Sequence, residues 1–319
     1  MFEKILEQII KHDTITIFGH INPDGDCFGA QIGLRDSLRL TFPDKTVNAV
    51  GSGVPAFFSK LGSLDQVDDV TIAKSLAILV DGNDFSRMED QRINKALSWV
   101  KIDHHVDNGT FSEGFFVVKE EANSTCELIA DFILEAKLKI NNIVADALFL
   151  GIVTDTGRFQ YITDFPRAFR QVAWLCEQGA DPNGLNRILN ITEEKSLGFK
   201  GFVFSHYQKT NDGVIYLLIS KEQLATYHLS ASKAGSMVNL IGNIKGFPIW
   251  AFFVENEDGT NHVEFRSNGP AVQPIALKYG GGGHALAAGV TLTNSESKLI
   301  NQVIADLNQS IRDFNKENQ

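Results

Sequence analysis

The stretch HINPDGDCFGA, residues 20–30, places His20, Asp24 and Asp26 in one apparent turn. Imidazole and carboxylate groups are metal ligands, and further clusters of the same residue types occur along the chain. These clusters are Asp81 in LVDGND, Asp103, His104 and His105 in IDHH, and Asp155 in GIVTDTGRF. Carboxylates that converge in a partly desolvated site repel one another, so their charge has to be compensated by protons or by bound cations.

The mixture of Asp and His indicates which cations would suit such a site. Carboxylate and neutral imidazole favour Mn²⁺, Zn²⁺, Fe²⁺ or Co²⁺ over Ca²⁺ or a structural zinc ion. Two metal ions roughly 3.5–4 Å apart are typical of phosphoester hydrolysis, because a bridging hydroxide attacks while both ions stabilise charge on the phosphoryl oxygens. The residue types therefore predict a two-metal phosphoesterase.

Each cluster also has a purely structural interpretation. Asp24 and Asp26 could cap a helix, and Asp81 and Asp155 could cap the elements next to them. Four separate clusters, each at the end of an apolar run, favour one shared site over unrelated caps. The other histidines lack an acidic cluster and are expected to be surface or hydrogen-bonded residues; they are His12, His206, His228 and His262.

The elements that must position these residues follow from the apolar runs. Runs of aliphatic residues that predict buried strands alternate with stretches of helical spacing. The strand runs are TITIFG (14–19), TVNAV (46–50), SLAILVD (75–81) and LSWVKID (97–103), and the helical stretches are 30–40, 90–98 and 141–159. This order predicts a doubly wound, mostly parallel sheet with helices on both faces, whose ligands gather at the carboxyl ends of the strands.

The second part of the chain predicts a smaller α/β domain with a mixed sheet. Strand patterns cover 213–220, 247–255 and 262–267, and the last two are expected to form a hairpin that turns at Asp258-Gly259. Between the two parts lies a polar, helix-prone stretch. We expect a catalytic domain over 1–185, a helical linker over 186–204 and a second domain over 205–319.

A glycine tract, KYGGGGHALAAG (278–289), interrupts the second domain. Its backbone amides could approach an anion closely and His284 could add a donor, although a flexible loop would also explain the tract. Arg266 and Ser267 end a predicted strand, where an arginine can contact phosphate through its forked donors. A surface arginine is the structural alternative.

Composition limits the function classes. The 319 residues are 43% hydrophobic, enough for two domains, and the formal net charge of −10 argues against tight binding of long nucleic acid. Cys27, Cys126 and Cys176 are well separated, which suggests neither a disulfide framework nor a thiolate zinc site. No targeting signal and no apolar run of about 18 residues is found, so we expect a cytoplasmic protein without a membrane span.

The motifs resemble a known family. HINPDGD, LVDGND, IDHH and GIVTDTGRF resemble the four successive motifs of the DHH phosphoesterases, and FRSNGP with GGGGHALAAG resembles their associated C-terminal domain. The compact length is similar to that of the bifunctional oligoribonuclease and pAp phosphatase (nanoRNase) branch. RecJ exonucleases carry extra domains, and family II inorganic pyrophosphatases end in a different domain. The chain departs from the family at Ala30, where a serine is usual, and by an additional acid, Asp84.

The resemblance implies two divalent ions, with Mn²⁺ favoured, bridged by Asp81. It implies that Asp103 orients a ligand and that His105 faces the phosphate as a catalytic group. One ion would be held by His20, Asp24 and Asp81, and the other by Asp26, Asp81, His104 and Asp155. Substrate phosphate and base would be held by Arg158, Arg266, Ser267, Gly281, Gly282, Gly283 and His284, on both sides of a cleft between the domains.

The implied activity is hydrolysis of short single-stranded RNA or DNA to nucleoside monophosphates, and of the 3′-phosphorylated nucleotide pAp to AMP. Long duplexes would be excluded, and a homodimer stays open. Alternatives are a phosphodiesterase for pApA or cyclic di-AMP, a RecJ-like single-strand exonuclease, and a non-catalytic nucleotide sensor. The complete ligand set disfavours the sensor, and the acidic charge and short length disfavour the exonuclease.

Overall fold

A computed structural model describes residues 1–54, 56–82, 84–105, 114–293 and 297–318 of the chain. Asn83 of the LVDGND motif lies outside the described residues. The chain divides into two units, Met1–Ile191 and Thr192–Gln319, here called the N-terminal unit and the C-terminal unit. Among the described residues, no helix combines the length and the apolar character that a membrane crossing requires.

Five strands form the sheet of the N-terminal unit: β1 (Thr14–Phe18), β2 (Thr46–Val50), β3 (Leu76–Val80), β4 (Ser98–Asp103) and β5 (Phe115–Val118). All pairings are parallel, in the order β2-β1-β3-β4-β5. The doubly wound parallel sheet predicted from the apolar runs is confirmed, and β5 is an addition to it. The strand order reverses around β1, and ligands of such sheets bind at the carboxyl ends of the strands beside that reversal.

Seven α-helices belong to the described part of the N-terminal unit: α1 (Glu3–Lys11), α2 (Gly25–Thr41), α3 (Asp69–Ala73), α4 (Thr125–Ala136), α5 (Asn142–Asp155), α6 (Phe165–Glu177) and α7 (Pro182–Asn190). α5 is apolar on nearly every side and is buried from Val144 to Val153 except at Asp146, as expected of a core helix. It packs closely on α2, where a Cβ on Gly33 would lie 2.7 Å from Cδ2 of Leu148. α2 lies against β1, β2 and β3, and α5 packs on α2 and α4.

The stretch 90–98 does not form the helix that its spacing predicted. Only Gln91–Lys95 is helical, as a short 3-10 segment that Asp90 caps, and β4 begins at Ser98. Ile93 is the buried residue of this segment, so the segment has no apolar stripe for a longer helix to bury. Other 3-10 segments are Ala56–Leu61, Phe85–Arg87 and Val238–Ile241.

The C-terminal unit contains a mixed sheet, as predicted, and this sheet has six strands. Its strands are β6 (Gln208–Lys209), β7 (Val214–Ile219), β8 (Ile249–Glu255), β9 (Asn261–Ser267), β10 (Gly282–His284) and β11 (Ala287–Leu292). The order is β10-β11-β9-β8-β7-β6, and only the β7–β8 pairing among these is parallel. Its described helices are α8 (Ser196–His206), α9 (Lys221–Thr226), α10 (Ala231–Gly235), α11 (Gln273–Lys278) and α12 (Ser297–Glu317).

The glycine tract forms an edge strand rather than a loop. β10 pairs with β11 in antiparallel register, with Gly283 opposite Ala288. Gly283 has a φ of +130°, and a Cβ there would lie 2.6 Å from the Cα of Ala288. A side chain at this position would separate the two strands, which explains the glycine.

Candidate metal centre and substrate site

The turn after β1 positions the first candidate ligands. Asp24 is the N-cap of α2, and its Oδ1 accepts hydrogen bonds from the backbone N–H groups of Asp26 (2.9 Å) and Cys27 (3.0 Å). The Nδ1 of His20 donates to the carbonyl of Ile21 (2.8 Å), so its Nε2 is the nitrogen that is left for a metal. The capping interpretation of Asp24 is correct, and it leaves the second carboxylate oxygen for another role.

Asp81 lies at the centre of the cluster. It follows β3 directly, is 2% exposed, and has a left-handed φ of 55°, a conformation that costs energy for a residue other than glycine and is typical of functional sites. Its Oδ2 lies 3.4 Å from Nε2 of His20, and its Oδ1 lies 3.7 Å from Nε2 of His104. The two oxygens of one carboxylate therefore face two different histidines.

His104 joins the carboxylates of three separate elements. Its Nε2 lies 3.9 Å from Oδ2 of Asp26, 3.7 Å from Oδ1 of Asp81 and 3.4 Å from Oδ2 of Asp155. Its Nδ1 is 3.2 Å from the carbonyl of Ala122, which fixes the ring with Nε2 toward the acids. β4 and α5 thus bring their ends to the same point.

The beginning of α4 supports the acids, and the sequence analysis missed this contribution. Asp26 is 1% exposed, and its oxygens accept from the backbone N–H groups of Thr125 (2.7 Å) and Cys126 (2.9 Å). The hydroxyl of Thr125 donates to Oδ1 of Asp81 (3.0 Å). The pattern Ser124-x-x-Glu127 is a helix-start signal that could have located this helix end, and Ser124 does cap it.

His105 is held by Asp103, which is fully buried. Oδ1 of Asp103 accepts from the ring Nδ1 (2.8 Å) and from the backbone N–H (3.2 Å) of His105. Burial alone would lower the pKa of His105, but Asp103 and Asp81 raise it to about 9. His105 is therefore protonated at neutral pH, with Nδ1 fixed on Asp103.

Two acids of the cluster, Asp26 and Asp155, hold protons more strongly than an ordinary aspartate when no cation is present. Burial, followed by the charge of Asp81, raises the pKa of Asp26 and of Asp155 well above the ordinary value. Burial lowers the pKa of His20, but its contact with Asp81 outweighs burial and raises that pKa to about 12. Burial likewise opposes ionisation of Asp81, whose pKa the histidines nevertheless hold below its usual range. Such a site is stabilised by any cation that replaces the protons.

The donor set fits divalent cations. Three groups have ligand atoms within 4.8 Å of one another: His20, Cys27 and Asp81; Asp81, His104 and His105; and Asp26, His104 and Asp155. Asp81 belongs to two of these groups. Carboxylate oxygens and imidazole nitrogens are ligands that transition-metal ions commonly take in proteins. Asp24 lies outside these groups, with its side chain 60% exposed and Oδ1 4.0 Å from His20 Nε2.

Arg158 takes a different direction from the acids. Helix α5 ends just before it in a Schellman motif, in which Arg158 N–H donates to the carbonyl of Val153 (2.8 Å). The exposed guanidinium donates to Oδ1 of Asn190 (2.8 Å) and the carbonyl of Leu189 (3.2 Å). Arg158 is thus next to Asp155 in the chain, while its charge is engaged at the end of α7.

In the C-terminal unit, the sheet register aligns the predicted substrate residues. Ala287 of β11 is opposite both His284 of β10 and Arg266 of β9, so these two residues share one row across three strands. Arg266 Nη1 donates to Oε2 of Glu264 and to the carbonyl of Phe265, each at 2.8 Å. Ser267 is buried, and its hydroxyl accepts from the N–H of Gly269 (3.1 Å).

His262, expected to be a surface or hydrogen-bonded residue, has a hydrogen-bond partner in Glu264. His262 Nε2 lies 3.1 Å from Oε1 of Glu264, two residues along β9. Glu264 therefore stands between His262 and Arg266, and these contacts hold its pKa below the usual range although burial opposes this. In a strand, residues two apart share a face, which is the signal that would have identified the pair.

Both units match known families. Residues 14–152 match the DHH family, N-terminal domain, and residues 211–316 match the DHHA1 domain. The chain is 34% identical over 310 residues to the bifunctional oligoribonuclease and PAP phosphatase NrnA of Bacillus subtilis (strain 168), which covers 96% of this chain and 97% of that relative. It is 36% identical over 307 residues to the protein of the same name from Mycoplasma genitalium, covering 94% and 95%.

A solved structure shows the same fold. An exopolyphosphatase-related protein from Bacteroides fragilis superposes with a TM-score of 0.84 at 22% identity, covering 98% of this chain and 96% of that chain. The similarity extends through both units. It supports the α/β architecture of each unit.

Proposed function

The chain belongs to the DHH phosphoesterase family, and we propose that it hydrolyses short oligonucleotides to nucleoside monophosphates and pAp to AMP. Relatives at 34% and 36% identity over nearly the full length are named for both activities. The structural observation that carries the proposal is the placement of Asp81, whose two oxygens face His20 and His104. That arrangement suits a carboxylate shared by two cations, the arrangement on which two-metal phosphoester hydrolysis depends.

We assign the ligands as follows. His20, Asp24 and Asp81 would hold one ion, Asp26, Asp81, His104 and Asp155 would hold the other, and Asp81 would serve both. Mn²⁺ is the proposed metal, since it accepts mixed carboxylate and imidazole ligands. When bound, such ions stabilise charge on phosphoryl oxygens and make water a stronger nucleophile at neutral pH.

His105 is the proposed proton donor. Asp103 fixes its Nδ1 at 2.8 Å, so the proton on Nε2 is the one that can move to the oxygen of the departing group. Its pKa of about 9 in the metal-free protein means that the ring carries this proton at neutral pH. Asp103 holds the ring in place and keeps its own charge during the transfer.

The C-terminal unit supplies the proposed substrate contacts. The row of Arg266 and His284 across three strands presents two donors to a phosphate, and the backbone of Gly281, Gly282 and Gly283 allows close approach. Ser267 completes this set. Arg158 is also proposed to contact phosphate, for which its guanidinium would exchange its hydrogen bonds to Asn190 and Leu189.

A substrate panel tests the activity. Protein made metal-free with a chelator is reloaded with Mn²⁺, Mg²⁺ or Co²⁺. Each form is assayed on pAp, pApA, cyclic di-AMP, short RNA, short DNA and pyrophosphate, and the products are separated. We expect AMP from pAp and monophosphates from the oligonucleotides, highest with Mn²⁺, and no cleavage of pyrophosphate. Fully metal-loaded protein that cleaves neither pAp nor short RNA would overturn the proposal.

Two variants separate metal binding from proton transfer. Asp81→Asn should lose both bound metal and turnover. His105→Gln should keep its metal, measured by elemental analysis, and lose kcat. Wild-type turnover in both variants would contradict the assigned roles.

A further inference from the structure

Three phenylalanines form a surface patch on the N-terminal unit, here called the aromatic patch: Phe159, Phe165 and Phe169. The ring centroids of Phe159 and Phe169 are 5.6 Å apart, and those of Phe165 and Phe169 are 6.0 Å apart with an interplanar angle of 29°. Phe165 is 48% exposed and Phe169 is 49% exposed. Contiguous exposed aromatic rings on the surface of a domain indicate a binding site for a ligand or another macromolecule.

Short connections link the aromatic patch to the carboxylate cluster. Phe159 follows Asp155 by four residues, which span at most about 14 Å. The loop that joins Phe159 to α6 is held next to the start of α4, because Thr163 contacts Asn123. The backbone N–H and the hydroxyl of Thr163 both donate to Oδ1 of Asn123 (2.7 and 3.0 Å). Asn123 is two residues before Thr125, whose hydroxyl contacts Asp81.

The chain holds this loop in an unfavourable backbone conformation. Gly157, Arg158 and Phe159 have consecutive left-handed φ values of 55°, 61° and 65°. A left-handed φ is unfavourable at a non-glycine residue, and such conformations cluster at functional sites. The ring of Tyr161, 41% exposed, lies against Gly157 and adds a further exposed aromatic ring to this loop.

The segment that carries the aromatic patch has more basic than acidic residues, although the chain as a whole is acidic. The segment 158–170 contains Arg158, Arg167 and Arg170 against one acid, Asp164, whereas the whole chain has a net charge of −10. Arg167 pairs with Asp131, and Arg158 and Arg170 are exposed. Exposed aromatic rings with flanking cations are typical of single-strand nucleic acid binding, whereas the core of a homodimer interface is poor in charge.

We propose that the aromatic patch is a base-stacking subsite that takes a nucleobase of the oligonucleotide beyond the nucleotide being removed. This rests on the proposed function and adds a length preference to it. A substrate of three to five nucleotides can place a base on the rings, whereas pAp has a single base and gains nothing from them. The subsite favours longer members of the substrate class without reading their sequence, because every base has a face that can stack.

Alanine variants test the subsite. Phe169→Ala and Phe165→Ala should lower kcat/KM for tri- and pentanucleotides about 5- to 50-fold, mainly through KM, the range expected for loss of one stacked base. Turnover of pAp and metal content should stay unchanged, and Phe169→Trp should restore the preference. The matched control is Phe204→Ala, since Phe204 is 55% exposed on α8 of the C-terminal unit. Thermal unfolding verifies that each variant is folded.

An altered substrate tests the same contact from the other side. In a series of trinucleotides, one residue at a time is made abasic. At one position, removing the base should lower kcat/KM of the wild-type protein by the same factor as Phe169→Ala does on the intact trinucleotide. The Phe169→Ala variant should show no further decrease in kcat/KM on that abasic substrate. An equal loss on pAp, or no loss at any length, would overturn the subsite. A changed sedimentation mass without a changed length profile would also overturn it and assign the surface to contact between copies. Wild-type protein inactive on both pAp and dinucleotides would instead refute the proposed function.

Discussion

The Nζ of Lys101 lies 3.0 Å from Oδ2 of Asp103, and both side chains are buried, with exposures of 1% and 0%. The two residues are two apart on β4 and share one face. Because Oδ1 of the same carboxylate accepts from the ring of His105, the lysine, the aspartate and the histidine form one chain that ends at the carboxylate cluster. Burial would raise the pKa of Asp103, but His105 and Lys101 hold it below the usual range.

Lys101→Met should destabilise the protein and slow catalysis. The substitution keeps the length of the side chain but leaves Asp103 as a buried charge without its lysine, which costs about 3–5 kcal/mol. The carboxylate can then turn away from His105, so kcat should fall while bound metal is retained. Urea denaturation, steady-state kinetics and elemental analysis measure the three quantities.

The control for this prediction is Lys119→Met. Lys119 is 41% exposed and lies 3.5 Å from Glu121, so its loss should change the free energy of unfolding by less than about 1 kcal/mol. The double variant Lys101→Met, Asp103→Asn should recover part of the stability without recovering kcat. Equal unfolding free energies for Lys101→Met and Lys119→Met would show that the buried pair contributes nothing.

Thr125→Val should weaken metal binding. Valine has the shape of threonine but cannot donate to Oδ1 of Asp81, which the hydroxyl does at 3.0 Å. Loss of a hydrogen bond to a metal ligand typically lowers metal affinity about 10- to 100-fold. Calorimetric titration with Mn²⁺ of protein made metal-free by a chelator measures this affinity. Thr125→Ser keeps the hydroxyl and should bind Mn²⁺ almost as tightly as the wild type does. Identical affinities for Val and Ser would refute the role of the hydroxyl.

The metal-free protein should lose stability as the pH rises from 5 to 9. The pKa of His105 is raised from 6.5 to about 9 on folding, so its stabilisation is complete below pH 6.5 and disappears as the pH rises through 9. The raised pKa values of Asp26 and Asp155 act in the same direction, since their stabilisation is complete below about pH 3.8 and is lost above it. Metal would replace the protons of Asp26 and Asp155, which are proposed ligands, so the metal-loaded protein should depend less on pH.

Thermal unfolding at pH 5.5, 7.0 and 8.5, with chelator and with Mn²⁺, measures this dependence. The increase in Tm on adding metal should grow with pH. Calorimetric titration with Mn²⁺ in buffers of different ionisation enthalpy should show that metal binding releases protons. Asp155→Asn removes one of the raised groups and should reduce the slope of the metal-free protein. A metal-free Tm that rises with pH would contradict the expected sign.

The sequence allowed the fold and the acid cluster to be predicted because both depend on local patterns. The strands before His20, Asp81 and Asp103 are short aliphatic runs, and parallel strands bring their carboxyl ends to one edge. The helix predicted at 90–98 was wrong because helical spacing without a buried stripe does not stabilise a helix. β10 was missed because four consecutive glycines carry no strand signal.

The contacts between distant residues could not be predicted. Lys101 is a charged residue in a strand, and nothing local indicates that it is buried against Asp103. The donation from Thr125 to Asp81 joins positions 44 residues apart and depends on how α4 packs on the sheet. The direction of Arg158, toward α7 rather than the acids, follows from the left-handed turn that ends α5.

Gly151→Ala should reduce both stability and metal affinity, whereas Gly201→Ala should not. Gly151 lies on α5, where a Cβ would come within 2.8 Å of Oδ1 of Asp26 and of the Cβ of Cys126. Either α5 moves away from α4 or Asp26 turns, and overpacking of this kind costs about 1–3 kcal/mol. Gly201 lies on α8, where an added Cβ would meet no heavy atom within 4 Å beyond its chain neighbours and the backbone of its own helix, so alanine should stabilise that helix by up to about 1 kcal/mol. Urea denaturation and Mn²⁺ titration of both variants measure these effects, and an unchanged metal affinity in Gly151→Ala would mean that Asp26 has more room than the close packing of α4 and α5 allows.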